Sequence, residues 1–412
     1  MRTADTVVIG GGFAGLFAAL VEAEAGKKVT LLAYGSGTFP LNSGLIDVLG
    51  YDEQGKSLAN PLAGLQQLPA SHPYKKIGKE TLEKAVAFFL DAMAEEGFPY
   101  TGSLDTQRYV VTGIGTLKPT CLLPASMDAT PVFDAQKIVL VGIKGLKDFY
   151  ATLALENLEK ALPEGKEYET VVFDPHHVGR DLTTRDVARF VGTEAGYQAL
   201  LTALRPWAGE GKVFLMPQIL GATYPTCHAP LVKELGCPVV EMTGMPPSVN
   251  GLRLRDALLS ALRKRGVHLI EKAKVQSATV HGKKAMAIQA GGEVRLQNYP
   301  AKKFILATGG FYSGGIEMRD FGAYNEGIFH LPVEGDAAED KWTNPQLFSN
   351  RKQGFALAGI RTDDSLRGID AKGNLVLENV YAVGRNLSGY DFCFEHSGNG
   401  VALASAYKAA RG

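Results

Sequence analysis

From Asp5 to Gly37 the chain reads DTVVIGGGFAGLFAALVEAEAGKKVTLLAYGSG, and few folds can accommodate such a stretch. Residues 6–9 are β-branched and apolar, which predicts a short buried strand. Gly10, Gly12 and Gly15 follow at the G-x-G-x-x-G spacing. Residues 13–25 are apolar and alanine-rich with a helical period, and Gly26 is placed as their stop. Lys27 and Lys28 then lead into a second strand, 29–32. Strand, glycine turn, helix, strand is the setting in which this spacing binds a phosphate. Gly10 makes the tight turn, Gly12 lets the backbone approach the ligand, and Gly15 lets helix and strand pack closely. Phe13 and Ala14 open the helix, where free amides carry partial positive charge. One position departs from the dinucleotide pattern. The second strand is followed by Ala33 and Tyr34, where an Asp or Glu normally holds the adenosine ribose.

Composition sets the outer limits. At 412 residues the chain exceeds what one compact core usually holds, so two domains are expected. Acidic and basic residues balance at 43 each, which leaves no net field to draw nucleic acid or an acidic lipid surface. Cys121, Cys227, Cys237 and Cys393 lie far apart with no C-x-x-C pair. That pattern argues against a disulfide framework, a closed zinc site or an iron–sulfur set, and no metal centre is expected. Cys227 and Cys237, with His228 between them, read better as buried structural residues than as half a metal site. His176 and His177 follow Asp174-Pro175 in a turn-like, solvated context. No signal peptide is read at the start, and no apolar run approaches the roughly 20 residues of a membrane span. A cytoplasmic chain, reaching a membrane only through a partner, is the expectation.

Beyond residue 49 the character changes. A turn-rich connector leads to a helix over 80–96 and then to segments unlike the opening pattern. Residues 137–158, KIVLVGIKGLKDFYATLALENL, read as another strand, turn and helix, with Gly142 and Gly145 at the turn. The full glycine spacing is missing there, so one βα unit of an inserted domain is a better reading than a phosphate site. Residues 182–192 and 193–204 read as helices, and 212–221 as a strand with its exit loop. From about residue 239 the nucleotide-fold pattern returns: a helix of about four turns, a strand near 267–270, a β-rich stretch, and a strand over 304–307 that exits through Thr308, Gly309 and Gly310. Last come a strand over 380–383, Gly384, a loop, and a helix opened by Gly398, Asn399 and Gly400. These readings predict a discontinuous nucleotide domain of 1–49, 239–315 and 373–412. An inserted domain takes 50–238, and a connecting, substrate-side segment takes 316–372.

Residues 10–15, the ILATGG run and the final NVYAVGRN…HSGNGVALA resemble, in that order, the three signatures of the two-dinucleotide-binding flavoprotein superfamily. The resemblance implies a Rossmann-like α/β fold of the FAD/NAD(P)-binding type, here with a large inserted α/β domain. GGGFAGL, NSGLIDVL, HPY, GTLKPTCL, VGIKGLKDF, MPPSVNGLRL and ATGGFYSGG run through nearly the whole chain, insertion included. They are similar to the B subunits of anaerobic glycerol-3-phosphate dehydrogenases. That family implies a flavin subunit working with a homologous catalytic A subunit, together with an iron–sulfur, membrane-anchoring C subunit. The complex oxidises glycerol 3-phosphate to dihydroxyacetone phosphate and passes electrons toward quinone in anaerobic respiration. The chain would then lie at the inner face of the cell membrane without spanning it. The alternative is a stand-alone flavin oxidoreductase acting on a small hydroxylated substrate. A third reading is a flavin fold that has lost its cofactor and serves as a structural subunit.

The resemblance also places residues. Ser43, Gly44 and Leu45, after Asn42, lie where the superfamily runs its backbone along the flavin ring. Val275, in the AKV run, lies where FAD-binding relatives seat the adenine. Thr308, Gly309, Gly384 and Arg385 end strands beneath the cofactor. Gly398, Asn399, Gly400 and Val401 begin the helix whose amino end faces the flavin's pyrimidine edge. FMN has no adenosine ribose, so Ala33 favours FMN over FAD, while the architecture as a whole suits FAD. NADP fits worst, because no Arg follows the second strand. For substrate chemistry the candidates are His396, just before the last helix, and Arg319, with His330 as a further residue of the flavin face.

Overall fold

In the computed structural model the described residues are 3–176, 181–291, 295–318, 323–336, 338–346 and 351–412. The chain forms two compact units. One comprises Met1–Thr38, Ile46–Ala92 and Leu258–Gly412, and the other Phe39–Leu45 and Met93–Ala257.

The first unit is built on a seven-stranded sheet. Its elements are β1 (Ala4–Ile9), α1 (Phe13–Glu24), β2 (Val29–Ala33), β3 (His268–Glu271), β4 (Lys274–His281), β5 (Lys284–Gly291), β6 (Leu296–Leu306), β7 (Val380–Ala382) and α2 (Gly398–Arg411). Strands β3, β2, β1 and β6 pair in that order and all in parallel, with Val7 opposite Phe304 and Val8 opposite Ile305. The long β6 changes partners along its length. Its first residues pair antiparallel with β5, which pairs antiparallel with β4, while Phe304–Leu306 pair in parallel with β7. Val7, Val8, Leu31, Phe304 and Ile305 are fully buried, as strands covered on both faces require.

Helix α1 packs closely because its sequence is small where space is short. A Cβ on Gly15 would run into the carbonyl oxygen of Gly10, and one on Gly10 into that of Ala307. Its other face buries Leu16, Phe17, Leu20 and Val21 at 1% exposure or less. Each such side chain contributes roughly 1.5–3 kcal/mol on leaving water. Phe13 and Phe17 meet Phe88 and Phe89 of the helix Lys79–Glu95 edge to face. Glu22, also buried, is neutralised by Lys303 at 3.0 Å.

The second unit has its own four-stranded sheet of Lys137–Ile143, Glu167–Phe173, Lys212–Met216 and Val239–Glu241. All pairings are parallel, and the spatial order is second, first, third, fourth. This is a doubly wound unit, with helices Ala151–Ala161, Thr184–Val191, Glu194–Leu204 and His228–Leu235 between strands. Thr183 and Asp186 form a reciprocal capping box, and Thr193 caps the next helix, so two short helices start where hydroxyls fall.

Two segments fall differently from the sequence reading. Residues 50–92, read as the start of the insertion, lie in the first unit. Residues 239–257, read as a return to the nucleotide domain, lie in the second, because Val239–Glu241 extends its sheet beside Lys212–Met216. Helix Val249–Lys264 passes from one unit into the other.

Near its third and fourth strands the second unit buries a complete ion pair. Arg253 and Glu241 both have side chains at 0% exposure and meet at 2.7 and 3.0 Å. Arg253 also donates to the Gly221 carbonyl, and Glu241 accepts from Ser126 Oγ and the Leu220 amide. Burial alone would raise the Glu241 carboxyl, but the adjacent guanidinium and these hydrogen bonds hold it below the usual carboxylate range.

Candidate functional site

Strands β1, β6 and β7 are neighbours, and within three residues of its end each reaches a glycine. Gly10 ends β1 at φ +124°, Thr308 and Gly309 follow β6 with Gly309 at φ +84°, and Gly384 follows β7 at φ +62°. Three motifs far apart in the sequence thus meet at one sheet edge. Side chains are excluded there by left-handed or otherwise glycine-specific backbone. Asn386 ties two of the exits together. Its amide oxygen accepts from Gly309 N at 3.1 Å, and its amide nitrogen donates to Thr308 Oγ1 at 3.0 Å. Gly384 N donates to Ser405 Oγ of α2, and a Cβ on Gly384 would press on those of Ala14 and Ala402. Helix α1 therefore begins beside this edge, and α2 packs on it one to two turns past its own start.

Among the described residues, the start of α1 carries no side-chain cap, and a Cβ on Gly12 would meet nothing within 4 Å. Open space before an uncapped helix start is what a flavin phosphate needs, and the residues present fit that group. Phe13, Ala14 and Gly15 form the first turn of that helix. Tyr34, after β2, is 69% exposed, and neither it nor Ala33 offers a carboxylate. Val275 lies in β4, opposite Ala290 of β5. Arg385 stacks its guanidinium on the Phe392 ring at 3.8 Å.

The turn into α2 is the most heavily fastened part of the site, and sequence reasoning missed what fastens it. Asp391 accepts from the amides of Cys393 and Phe394 and from Gln353 N. Glu395, 1% exposed, accepts from His72 Nε2 at 3.0 Å, Lys352 Nζ at 2.7 Å and Ser397 Oγ at 3.1 Å. His72 Nδ1 accepts from Tyr74 N, which assigns the ring proton to Nε2, facing Glu395. Lys352 continues to Glu53 at 3.0 Å. Burial alone would raise Glu395, but the bonds from His72 and Lys352 hold it below the ordinary carboxylate value. Burial alone would lower Lys352, and its two carboxylate partners hold it above the ordinary lysine value. The local sequence, FCFEH, gives no sign that its Glu is buried; only its partners, far along the chain, reveal it.

His396 follows in a left-handed conformation at φ 49°, its ring edge-on to Tyr51 at 4.8 Å. A Cβ on Gly50 would touch the Cβ of His396, so the turn has no slack. Gly400 N donates to the Asp47 carbonyl, and a side chain at Gly400 would collide with Tyr74 Oη. Asn399 and Val401 lie with it in the first turns of α2, Val401 fully buried.

Ser43, Gly44 and Leu45 belong to the second unit: Tyr100 Oη donates to the Gly44 carbonyl at 2.6 Å, Asn250 Nδ2 to that of Ser43 at 2.8 Å, and Leu45 is buried beside Val110, Leu123 and Met127. His330 is exposed at φ 55°. Arg319 and His177 lie outside the described residues. His228 bonds the Val239 carbonyl at 2.8 Å, and Cys227 donates to the Val191 carbonyl. Burial pushes both the Cys227 and Cys237 thiols up, away from the thiolate a metal would need. Among the described residues no group of three or more His, Cys, Asp or Glu is arranged to hold a metal ion. Around Gly142 and Gly145 the turn's lysines are already matched, Lys144 with Asp174 and Lys147 with Asp181.

Comparison with known proteins agrees with this geometry. The chain matches the family model of the FAD binding domain over residues 5–401. It is 36% identical to a protein of Halobacterium salinarum named as the probable B subunit of anaerobic glycerol-3-phosphate dehydrogenase, over 98% of this chain and 96% of that one. It is 31% identical to the B subunit of the anaerobic glycerol-3-phosphate dehydrogenase of Aliivibrio fischeri, over 98% of this chain and 94% of the relative. The Vibrio cholerae protein of the same name is also 31% identical, over 98% and 95%.

Proposed function

This chain belongs to the family of anaerobic glycerol-3-phosphate dehydrogenase B subunits and is a flavin-containing oxidoreductase subunit; on that premise we propose how it holds the flavin and where it stands in the complex. The phosphate is held by Gly10, Gly12, Phe13, Ala14 and Gly15. Thr308, Gly309, Gly384 and Arg385 line the sheet edge beneath the cofactor. Gly398, Asn399, Gly400 and Val401 approach the ring. The observation that carries this reading is the convergence of three glycine strand exits on the uncapped start of α1. When bound, the flavin supplies two-electron redox chemistry, which the chain's own side chains lack. The amides at the start of α1 orient it through its phosphate. The start of α2 offers partial positive charge where reduction builds negative charge.

The flavin we propose is FMN, because β2 ends in Ala33 with no carboxylate for an adenosine ribose. FAD is the second reading, favoured by the match to the FAD-binding family, with Val275 near the adenine. Relatives are named as B subunits, so the chain works among other subunits. We take these to be a homologous catalytic A subunit, together with an iron–sulfur C subunit that anchors the assembly and leads electrons to quinone. Among the described residues no helix is long and apolar enough to cross a membrane. Attachment to the inner face of the membrane through the C subunit is therefore part of the proposal. His396 and Arg319 remain candidates for substrate contact.

The test is to release the cofactor with acid from protein purified from its own cells and identify it by mass. FMN supports the first reading, and FAD replaces it with the second. Absence of flavin overturns the proposed seat. The same protein is then mixed with glycerol 3-phosphate in the absence of oxygen. Bleaching of the flavin band only when the catalytic partner is added supports the accessory role. Bleaching by the chain alone makes it a stand-alone dehydrogenase.

A further inference from the structure

We propose that Glu395 and Lys352 are positioning residues of opposite sign that set the reduction potential of the flavin, with His72 fixing the geometry between them. This rests on the flavin seat proposed above and adds a role for three residues outside it.

The first support is geometric. The turn at 395–397 is fastened from both main chain and side chain. The Glu395 carbonyl accepts from Gly50 N at 2.8 Å and Tyr51 N at 3.2 Å, while its carboxylate takes His72, Lys352 and Ser397. The left-handed His396 and the close approach of Gly50 leave the turn a single shape. Three residues after Glu395 the helix α2 begins, with no side-chain cap on its amino end. Whatever α2 faces is thus held at a fixed distance from the Glu395 carboxylate.

The second support is electrostatic. The Glu395 side chain is 2% exposed and that of Lys352 is 20% exposed, whereas Glu53 at the outer end of the chain is 52% exposed. A charge taken out of water is screened far less than one in it, so the inner two act at longer range than the outer one. Stability alone does not call for such an arrangement. A buried ion pair is a weak contributor to folding, and an apolar pair of the same volume serves as well. Two-electron reduction adds negative charge to a flavin. A buried carboxylate beside it resists that change and an ammonium favours it. His72 contributes shape rather than charge, since its Nδ1 accepts from Tyr74 N and its Nε2 donates to Glu395.

The experiment is redox titration of the full flavin-loaded chain, followed by absorbance, for the wild type, Glu395→Gln, Lys352→Met and Lys352→Arg. The midpoint potential is expected to rise in Glu395→Gln, fall in Lys352→Met and return toward wild type in Lys352→Arg. A purely structural role cannot produce shifts of opposite sign. Shifts in one common direction, or none with flavin retained, overturn the proposal. If Glu395→Gln does not accumulate as folded protein, the two Lys352 variants decide: a fall restored by Arg supports the proposal and no fall overturns it. Wild-type protein lacking flavin would overturn the seat itself, whereas flavin-loaded protein with unmoved potentials overturns only the charge role.

Discussion

The parallel strands of this protein's two larger sheets end in opposite ways. In the first unit β1, β6 and β7 run out into glycines, with the uncapped start of α1 before them. In the second unit the third and fourth strands end beside Glu241 and the fully buried Arg253, whose hydrogen bonds are satisfied by one another, by Ser126 and by main-chain groups. Both units wind strand, helix, strand. What separates a nucleotide seat from a scaffold is whether side chains fill the carboxyl edge. Where they are absent, backbone amides are left for a ligand. Where they are present and mutually satisfied, the edge is finished.

The sharpest way to break this contrast is Arg253→Met. It strands Glu241 as a buried, uncompensated charge and should cost about 3–5 kcal/mol in urea unfolding. Pairing it with Glu241→Leu should recover most of that loss. The same pair fixes a pH sign. The Glu241 carboxyl lies lower in the folded chain than in the unfolded one, so its contribution is present above the unfolded value of about 4.3. It is lost as pH falls through the folded value. Wild-type melting temperature should therefore drop on acidification below about pH 4, and the Arg253→Met/Glu241→Leu pair should show a flatter acid limb.

Gly12→Asp comes next. The backbone at Gly12 is φ −82°, open to any residue, and it is the N-cap of α1. An Asp there should cap the helix and stabilise flavin-free protein by roughly 0.5–2 kcal/mol. Flavin affinity should fall about a hundredfold, ~2.7 kcal/mol, because a carboxylate takes the phosphate's place. Calorimetry and fluorescence titration should move in opposite directions. Asn386→Ala removes the tie between two glycine exits and leaves Gly309 N without its partner. A loss of about 1–3 kcal/mol is expected in thermal unfolding of the first unit. The smallest effect is a gain. Ala33→Glu restores the ribose acceptor and should raise affinity for FAD relative to FMN about tenfold, ~1.4 kcal/mol, in competitive titration.

The glycine exits were legible in the sequence because a strained backbone leaves a compositional mark. Gly10, Gly309 and Gly384 each need a conformation that other residues resist, and each shows as a glycine closing a largely apolar run. The helices read over 182–192 and 193–204 are found at 184–191 and 194–204, with Thr183 and Thr193 as their caps. The boundaries of the second unit were not legible. Val239–Glu241 is a three-residue strand whose membership is decided by what lies beside it, and nothing local to VVE encodes that neighbour. The Glu395 cluster escaped for the same reason. His72, Lys352 and Glu395 are ordinary polar residues in their own segments, and only the fold brings His72 and Lys352 within hydrogen-bond reach of Glu395. Asn386 follows directly on Gly384 and Arg385 at the last strand's exit, yet its role depends on Thr308, at the exit of the neighbouring strand and 78 residues earlier in the chain.

Strand β6 carries a consequence of a different kind. Its first half is held in an antiparallel meander with β5, while its second half lies between β1 and β7 and ends at Thr308 and Gly309. Strand pairing is quantised, and a slip of one residue moves the chain by about 3.3 Å and turns each side chain to the opposite face. The meander therefore works as a gauge block. By fixing Pro300 opposite Ala287 and Tyr299 opposite Ile288 it sets how far β6 extends before it ends. A deletion among these outlying residues would draw Gly309 off Asn386 as surely as a substitution at the glycine itself.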